Sequence, residues 1–236
     1  MIDFYCWRSG NNRKIFMMLE EAGIEYTRRI VNLSKNEQKS PEFLAINPNG
    51  KVPAIVDQDG PGGKPFTVIE SGAILIYLAE KSGILRPDDP RQWFDVAQWL
   101  MWQMSGPGPM FTEAYYFHSQ KDNPDMAYPA ERYEKEAHRL LRVAAKRLGE
   151  SQYLAGNFYS IADIGFWPHC GTVKRFGASL DMYPNITRWF GLVGERPAVK
   201  RAGAIIDEVR IEDTLGKRRS AGKNSKLIAA STRGNT

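Results

Sequence analysis

Residues 5–14, YCWRSGNNRK, gather a cysteine, a serine and two asparagines where an alternating apolar run gives way to a helix-forming one. Two different chemistries use those residue types. A C-x-x-S spacing from Cys6 to Ser9 is a redox pattern when the cysteine caps a helix, because free amides and the helix dipole stabilise its thiolate. Cys6 instead falls inside the apolar alternation, ahead of the helix, and is expected to be a buried, inert thiol. Ser9 and Asn11 belong to the helix start. A hydroxyl and a carboxamide there suit a sulfur anion placed at the helix end, and the same residue types make an ordinary N-cap. Serine nucleophilic catalysis is disfavoured, because there is no G-x-S-x-G turn and no histidine near in sequence.

Two further stretches carry binding chemistry. In Gly50-Lys51-Val52-Pro53 a proline follows a turn at the start of a strand, a place for a cis bond that aims the neighbouring backbone at a ligand. A plain edge-strand proline fits the same letters. Glu70-Ser71-Gly72 opens a helix whose free amides and serine hydroxyl suit a carboxylate as well as a cap. His169-Cys170 is too sparse for zinc, and His118 and His138 do not join it at ligand spacing.

The elements that must position these residues are legible as patterns. Strands are expected over 2–7, 26–33, 52–57 and 66–69, and helices over 12–22, 40–46 and 71–81, with a Gly/Pro-rich turn (DGPGGKP) between the last two strands. The order βαβαββα makes a small α/β layer over 1–82. A linker is expected at 83–92. Beyond it the patterns are helical, over 93–104, 129–149, 161–176, 184–195 and 197–209, giving an all-α domain over 93–210. Ser160-Ile-Ala-Asp163 reads as a capping box. Ser105-Gly-Pro-Gly-Pro109 breaks a Trp-rich helix. Phe111, Tyr115, Tyr116, Phe117 and His118 then offer an aromatic wall for an apolar acceptor, whereas Trp99 and Trp102 suit interhelical core.

Bulk properties narrow the function classes. The chain has 236 residues, 42% apolar and 25% charged, the balance of an ordinary soluble protein. The start, MIDFYCW, lacks the basic-then-apolar order of a signal peptide, and two cysteines do not make a disulfide scaffold, so a cytoplasmic location is expected. No apolar run is long enough to span a membrane. The net charge of +5 comes from six basic residues of the acid-free end, 216–236, without which 26 basic face 27 acidic residues. That basic tail, 211–236, is expected to be disordered. It lacks the aromatic interleaving of a nucleic-acid binder, so no specific nucleic-acid partner is expected.

Taken together, the patterns S-x-N at 9–11, N-P-x-x-K-V-P at 47–53, E-S-x-A-I-x-x-Y-L at 70–78 and S-I-A-D at 160–163 resemble the glutathione transferase superfamily over about residues 1–205. Within it, MIDFY, E-E-A at 20–22, P-E-F-L-x-I-x-P-N at 41–49, Q-W-L-M-W-Q-M-x-G-P-G-P-M at 98–110 and Y-x-x-E-R-Y at 128–133 resemble the bacterial Nu class and its fungal Ure2-like relatives. The resemblance implies a thioredoxin-like domain followed by an all-helical one, a homodimer, and glutathione as co-substrate with no metal. It implies that Val52, before a cis Pro53, pairs with the cysteinyl backbone of glutathione. Glu70 and Ser71 would take its γ-glutamyl end, and Lys51 and Gln38 its glycyl carboxylate. Ser9 and Asn11 would flank the sulfur. Gly10 and Asn12 depart from the proline and glycine expected of the family, and Ser9 replaces its threonine but keeps the hydroxyl. Tyr115, Tyr116 and Arg132 are candidates for a second substrate or second glutathione. The implied activity is glutathione-dependent reduction of small disulfides without a protein cysteine. Conjugation of electrophiles or ether cleavage is the alternative, and a non-catalytic regulator a further one.

Overall fold

The computed structural model describes residues 1–209, so the segment 211–236 lies outside the described residues. Four strands, β1 (Ile2–Cys6), β2 (Tyr26–Ile30), β3 (Ala54–Asp57) and β4 (Phe66–Ile69), form one sheet in the order β2-β1-β3-β4. β1 and β2 are parallel, while β1–β3 and β3–β4 are antiparallel. Alternation along β1 puts Ile2, Phe4 and Cys6 on one buried face. With Ile55 they pack beneath α1 (Gly10–Ala22) and α3 (Ser71–Ser82). The other face packs Val31 and Ala54 on Phe43 of α2 (Pro41–Ile46), whose N-cap is Ser40.

Helix α1 starts two residues before the expected 12, because Ser9 is extended and caps it. Strand β3 starts two residues after the expected 52, because Pro53 has no N–H to give to the ladder; the Val52–Pro53 peptide is cis. β2 ends at Ile30, ahead of the expected 33, and a short 3-10 turn at Leu33–Lys35 follows, capped by Asn32.

The remaining described residues are helical: α4 (Pro90–Ser105), α5 (Pro107–His118), α6 (Ala127–Glu150), α7 (Ile161–Cys170), α8 (Pro184–Gly194) and α9 (197–209). α4 begins inside the segment expected as linker, since Asp89 accepts from the Arg91 amide and Pro90 suits the first turn. The Gly/Pro interruption separates two helices. Gly106 breaks α4, and Pro107 then opens α5, a helix that the sequence patterns did not announce. α7 stops at Cys170, short of the expected 176, and a 3-10 turn over Val173–Phe176 ends in a left-handed Gly177.

The two layers share one continuous core. Close approach depends on missing side chains at two points. A Cβ on Gly72 of α3 would meet Met104 Cγ at 3.0 Å, and one on Gly165 of α7 would meet Leu100 Cδ1 at 3.0 Å. At the rim, Arg196 pairs with Glu21 through two hydrogen bonds of 2.6 and 2.9 Å, and Arg201 pairs with Glu20 at 2.7 Å.

Candidate active site

A cleft of about 640 Å³ opens where the N-terminal layer meets α4 and α5. Its N-terminal wall holds Asn11, Lys14, Lys51, Glu70, Ser71 and Gly72, and its helical wall holds Met101, Gln103, Met104, Gly108, Pro109, Thr112 and Glu113. Four expected site residues therefore meet in one cavity: Asn11, Lys51, Glu70 and Ser71.

Each is placed by local structure. Ser9 Oγ accepts from the Asn12 amide at 3.3 Å and from Asn12 Nδ2 at 2.6 Å, so its own proton is left to donate elsewhere. Asn11, exposed in the first turn, faces the cleft. No acid lies in that first turn to offset the positive end of the helix. Cys6 is fully buried on the strand behind. Cys170 is also buried, and burial pushes its thiol far up. Neither thiol lines the cleft.

The turn before Val52 is built by Asn47, which is 1% exposed. Its Nδ2 donates to the Lys51 carbonyl at 2.6 Å, and its Oδ1 accepts from the Asn49 amide at 3.0 Å. Gly50, at φ 62°, fits beside Gln38, whose carbonyl would be 3.2 Å from a Cβ there. Gln38 is thus brought next to Lys51, and its Oε1 is buried with no protein partner.

Glu70 adopts φ 68° and ψ 123°, a left-handed conformation that costs energy for a side chain with a Cβ. It turns the chain sharply from β4 into α3. Ser71 becomes the first residue of that helix, and its Oγ lies 3.6 Å from Met104 Sδ. Asn49 Nδ2 reaches Glu70 Oε1 at 3.5 Å.

The second-substrate residues fall elsewhere. On α5, Phe111 points inward and packs on Phe166 and Phe176, so it is core and not cleft wall. Phe117 stacks on Tyr133 at 5.2 Å. The helical period instead turns Pro109, Thr112 and Glu113 to the cleft. Tyr115 and Tyr116 are exposed one turn further along, with the Arg175 guanidinium 5.4 Å from the Tyr115 ring. Arg132 lies in a neighbouring, larger concavity of about 780 Å³ along α6, beside Tyr128, Arg139 and Arg142. Trp99 and Trp102 meet edge-on at 5.1 Å, and Trp102 meets Phe166 at 5.2 Å, which is interhelical core.

Two polar cleft residues, Lys14 and Gln103, escaped the sequence reading, and His169, considered there only as a metal ligand, stands behind them. Lys14 is 1% exposed, and its Nζ donates to Gln103 Oε1 at 2.9 Å and to Ser71 Oγ at 3.4 Å. Burial pushes its ammonium down to about 7, against a smaller upward pull from Glu70. Gln103 Nε2 lies 3.2 Å from His169 Nδ1. Burial first, and the Lys14 charge second, push His169 down to about 3, so it is neutral. One signal was available: Lys14 is three residues after Asn11, on the same helical face, and directly precedes an apolar run, IFMML at 15–19. Among the described residues no group of three or more His, Cys, Asp or Glu is placed to hold a metal ion, and no helix is long and apolar enough to cross a membrane.

A four-stranded thioredoxin-like sheet with a cis-proline turn and a polar helix start abuts a helical part, and the cleft lies between the two. Comparison with known families agrees. Residues 9–81 match the glutathione S-transferase N-terminal domain and residues 109–197 match the glutathione S-transferase C-terminal domain. The disulfide-bond oxidoreductase YfcG of Escherichia coli is 43% identical over 203 residues, covering 86% of this chain and 94% of its own. A Burkholderia graminis glutathione transferase, solved with two glutathione molecules per subunit, superposes with a TM-score of 0.80 at 40% identity, over 85% of this chain and 86% of that one. A Pseudomonas putida glutathione transferase, solved with one glutathione disulfide per subunit, gives a TM-score of 0.81 at 40% identity, over 85% and 90%. The chain belongs to the glutathione S-transferase family.

Proposed function

We propose that this protein is a glutathione-dependent thiol–disulfide oxidoreductase of the bacterial Nu class, in which the reacting sulfur belongs to the ligand. The observation that carries this reading is the start of α1. Ser9 has a hydroxyl proton to give and Asn11 a carboxamide in the cleft, while both protein thiols are buried away from it. A thiolate held there is stabilised by the hydroxyl, the carboxamide and the free amides of the first turn.

In this reading Val52 offers its backbone to the cysteinyl unit, ahead of the cis peptide with Pro53. Glu70 takes the γ-glutamyl ammonium, and the Ser71 hydroxyl and amide take its carboxylate. Lys51 Nζ and the Gln38 carboxamide N–H would donate to the glycyl carboxylate. The glutathione thiolate attacks a small disulfide, forming a mixed disulfide and expelling one thiolate. A second glutathione thiolate then attacks the glutathione sulfur of that adduct. Glutathione disulfide and a second thiol leave, two glutathiones having supplied two electrons. The relatives holding two glutathiones, or one glutathione disulfide, support this stoichiometry. Arg132, with Tyr115 and Tyr116, is assigned to the second glutathione.

Reduction of bis(2-hydroxyethyl) disulfide by glutathione is expected to run much faster than conjugation to chlorodinitrobenzene, and equal or reversed rates would overturn the assignment. The same reading makes the protein a cytoplasmic homodimer that covers exposed Phe66 and Phe94. Sedimentation equilibrium tests the dimer, and a monomer at micromolar concentration removes it.

A further inference from the structure

Lys14 is a buried cation whose hydrogen bonding is incomplete. An ammonium has three donors and no acceptor. One is used well, on Gln103 Oε1 at 2.9 Å. The others meet Ser71 Oγ at 3.4 Å and the Met104 thioether at 3.8 Å, a long contact and a weak acceptor. Yet Lys14 is part of the cleft wall beside Ser71. The helical domain braces it from behind, through Gln103 of α4 and His169 of α7. An anionic oxygen arriving on Ser71 would supply the acceptor that is missing.

We infer that Lys14 is a ligand-binding residue: its ammonium pairs with the γ-glutamyl α-carboxylate of glutathione, and the cleft takes up a proton when that carboxylate arrives. The inference rests on the glutathione reading above and adds a residue, a charge and a pH dependence to it. Ser71 alone offers a carboxylate only neutral donors, whereas Lys14 adds a full charge in a setting shielded from water. Gln103 presents its carbonyl to the ammonium, and its Nε2 lies 3.2 Å from His169 Nδ1, which accepts there in the neutral Nε2–H tautomer. The charged and titratable groups around Lys14 are Glu70 before α3, His169 on α7, Lys51 along the same wall and Glu113 across the cleft. His169 stays uncharged throughout the neutral range. With its ammonium pushed down to about 7, Lys14 is largely unprotonated in the empty cleft at pH 8, and pairing with a carboxylate draws a proton from solvent onto Nζ.

The test uses S-methylglutathione, which has no thiol to ionise, and its analogue lacking the γ-glutamyl α-carboxylate. Binding is followed by calorimetry in two buffers of different ionisation enthalpy. For the wild-type chain, net proton uptake of roughly 0.7 at pH 7.5, below the titration of the ligand's own ammonium, is expected to vanish by pH 6. Affinity for S-methylglutathione is expected to fall roughly fourfold from pH 6 to 7.5, with no such fall for the analogue. Lys14→Met is expected to weaken S-methylglutathione by roughly 10- to 100-fold, to leave the analogue within about twofold, and to abolish the proton uptake. Equal losses for both ligands, or unchanged uptake in the variant, would falsify the assignment. The two wild-type measurements decide it even if the variant does not fold, since absence of both uptake and pH dependence also overturns it. A wild-type chain that binds neither ligand overturns the glutathione reading itself.

Discussion

Helices α1 and α7 both start from an extended serine N-cap, Ser9 and Ser160, and the two starts have opposite surroundings. Behind Ser160, the third helical residue is Asp163, fully buried, and it closes a capping box. Its carboxylate accepts from the Leu154 and Ser160 amides at 3.0 Å, from Ser160 Oγ at 3.1 Å and from Trp189 Nε1 at 2.8 Å. Behind Ser9, the third helical residue is Asn12, and its side chain donates to Ser9 where Asp163 accepts. The first turn of α1 carries no acid and opens on a cleft. The same local device thus joins loops and helices inside the helical domain, and leaves a positive, donor-rich end for a ligand in the other. What separates the two caps is the charge of the third residue, carried by Asp163 and absent at Asn12, and whether the helix end is covered.

Breaking the covered start should have the largest effect. Asp163→Ala leaves two amides, an indole and a hydroxyl without their acceptor, so a loss of about 3–5 kcal/mol in unfolding free energy is expected by denaturant titration. Burial pushes the Asp163 carboxyl up to about 6, against the pull of its donors. The fold then binds this proton more tightly than the unfolded chain does. Its contribution to stability therefore falls as pH rises from about 4 to 6, and Asp163→Asn should flatten that slope.

The open start should respond mainly in activity. Ser9→Ala removes a donor to the sulfur anion and is expected to lower disulfide reduction roughly 10- to 100-fold, a loss of about 1.5–3 kcal/mol. Its cost in stability should be near 1 kcal/mol, the value of an N-cap. A stability loss as large as that of Asp163→Ala would erase the distinction between the two starts.

Converting one start toward the other gives a smaller and more pointed effect. Asn12→Asp places an acid at the third position of α1, as in α7. The bound glutathione thiol should become harder to ionise, by roughly one pH unit in its ultraviolet thiolate titration. An unshifted titration would show that the first turn of α1 does not set the charge of the sulfur. The smallest effect is expected from Cys6→Ala, which deletes a buried strand side chain facing the core. Disulfide reduction should remain within about twofold while the midpoint of unfolding drops modestly, at a cost of about 1 kcal/mol. Loss of activity would return the C-x-x-S pattern to the mechanism.

Most of the sheet was legible because short-range rules govern it. Alternation at 2–6, the residues of the Phe66–Ile69 strand and the Ser160/Asp163 box each follow from neighbours within a few positions. The failures were boundaries and one helix. Pro107 and Pro109 look like breakers in the sequence, yet both fall in the first turn of α5, where a missing N–H costs nothing. Reading 107–118 as a helix would also have separated Phe111, which faces the core, from Thr112 and Glu113, which face the cleft.

By itself the sequence determined which residues stand at the two helix starts and beside the cis proline, since caps and turns are set by residues adjacent in the chain. It also placed Cys6 within a strand and so away from the helix end. Tertiary structure decided which side chains share the cleft. Lys14 meets Gln103 across 89 positions, Gln103 meets His169 across 66, and Ser71 is brought to Lys14 across 57. Those contacts arise only when glycines at 72 and 165 let α3 and α7 close on α4. The physical reason is desolvation. A lysine reads as a surface cation from its letters alone, and it becomes a buried, partly unprotonated group only when a second domain removes the water around it.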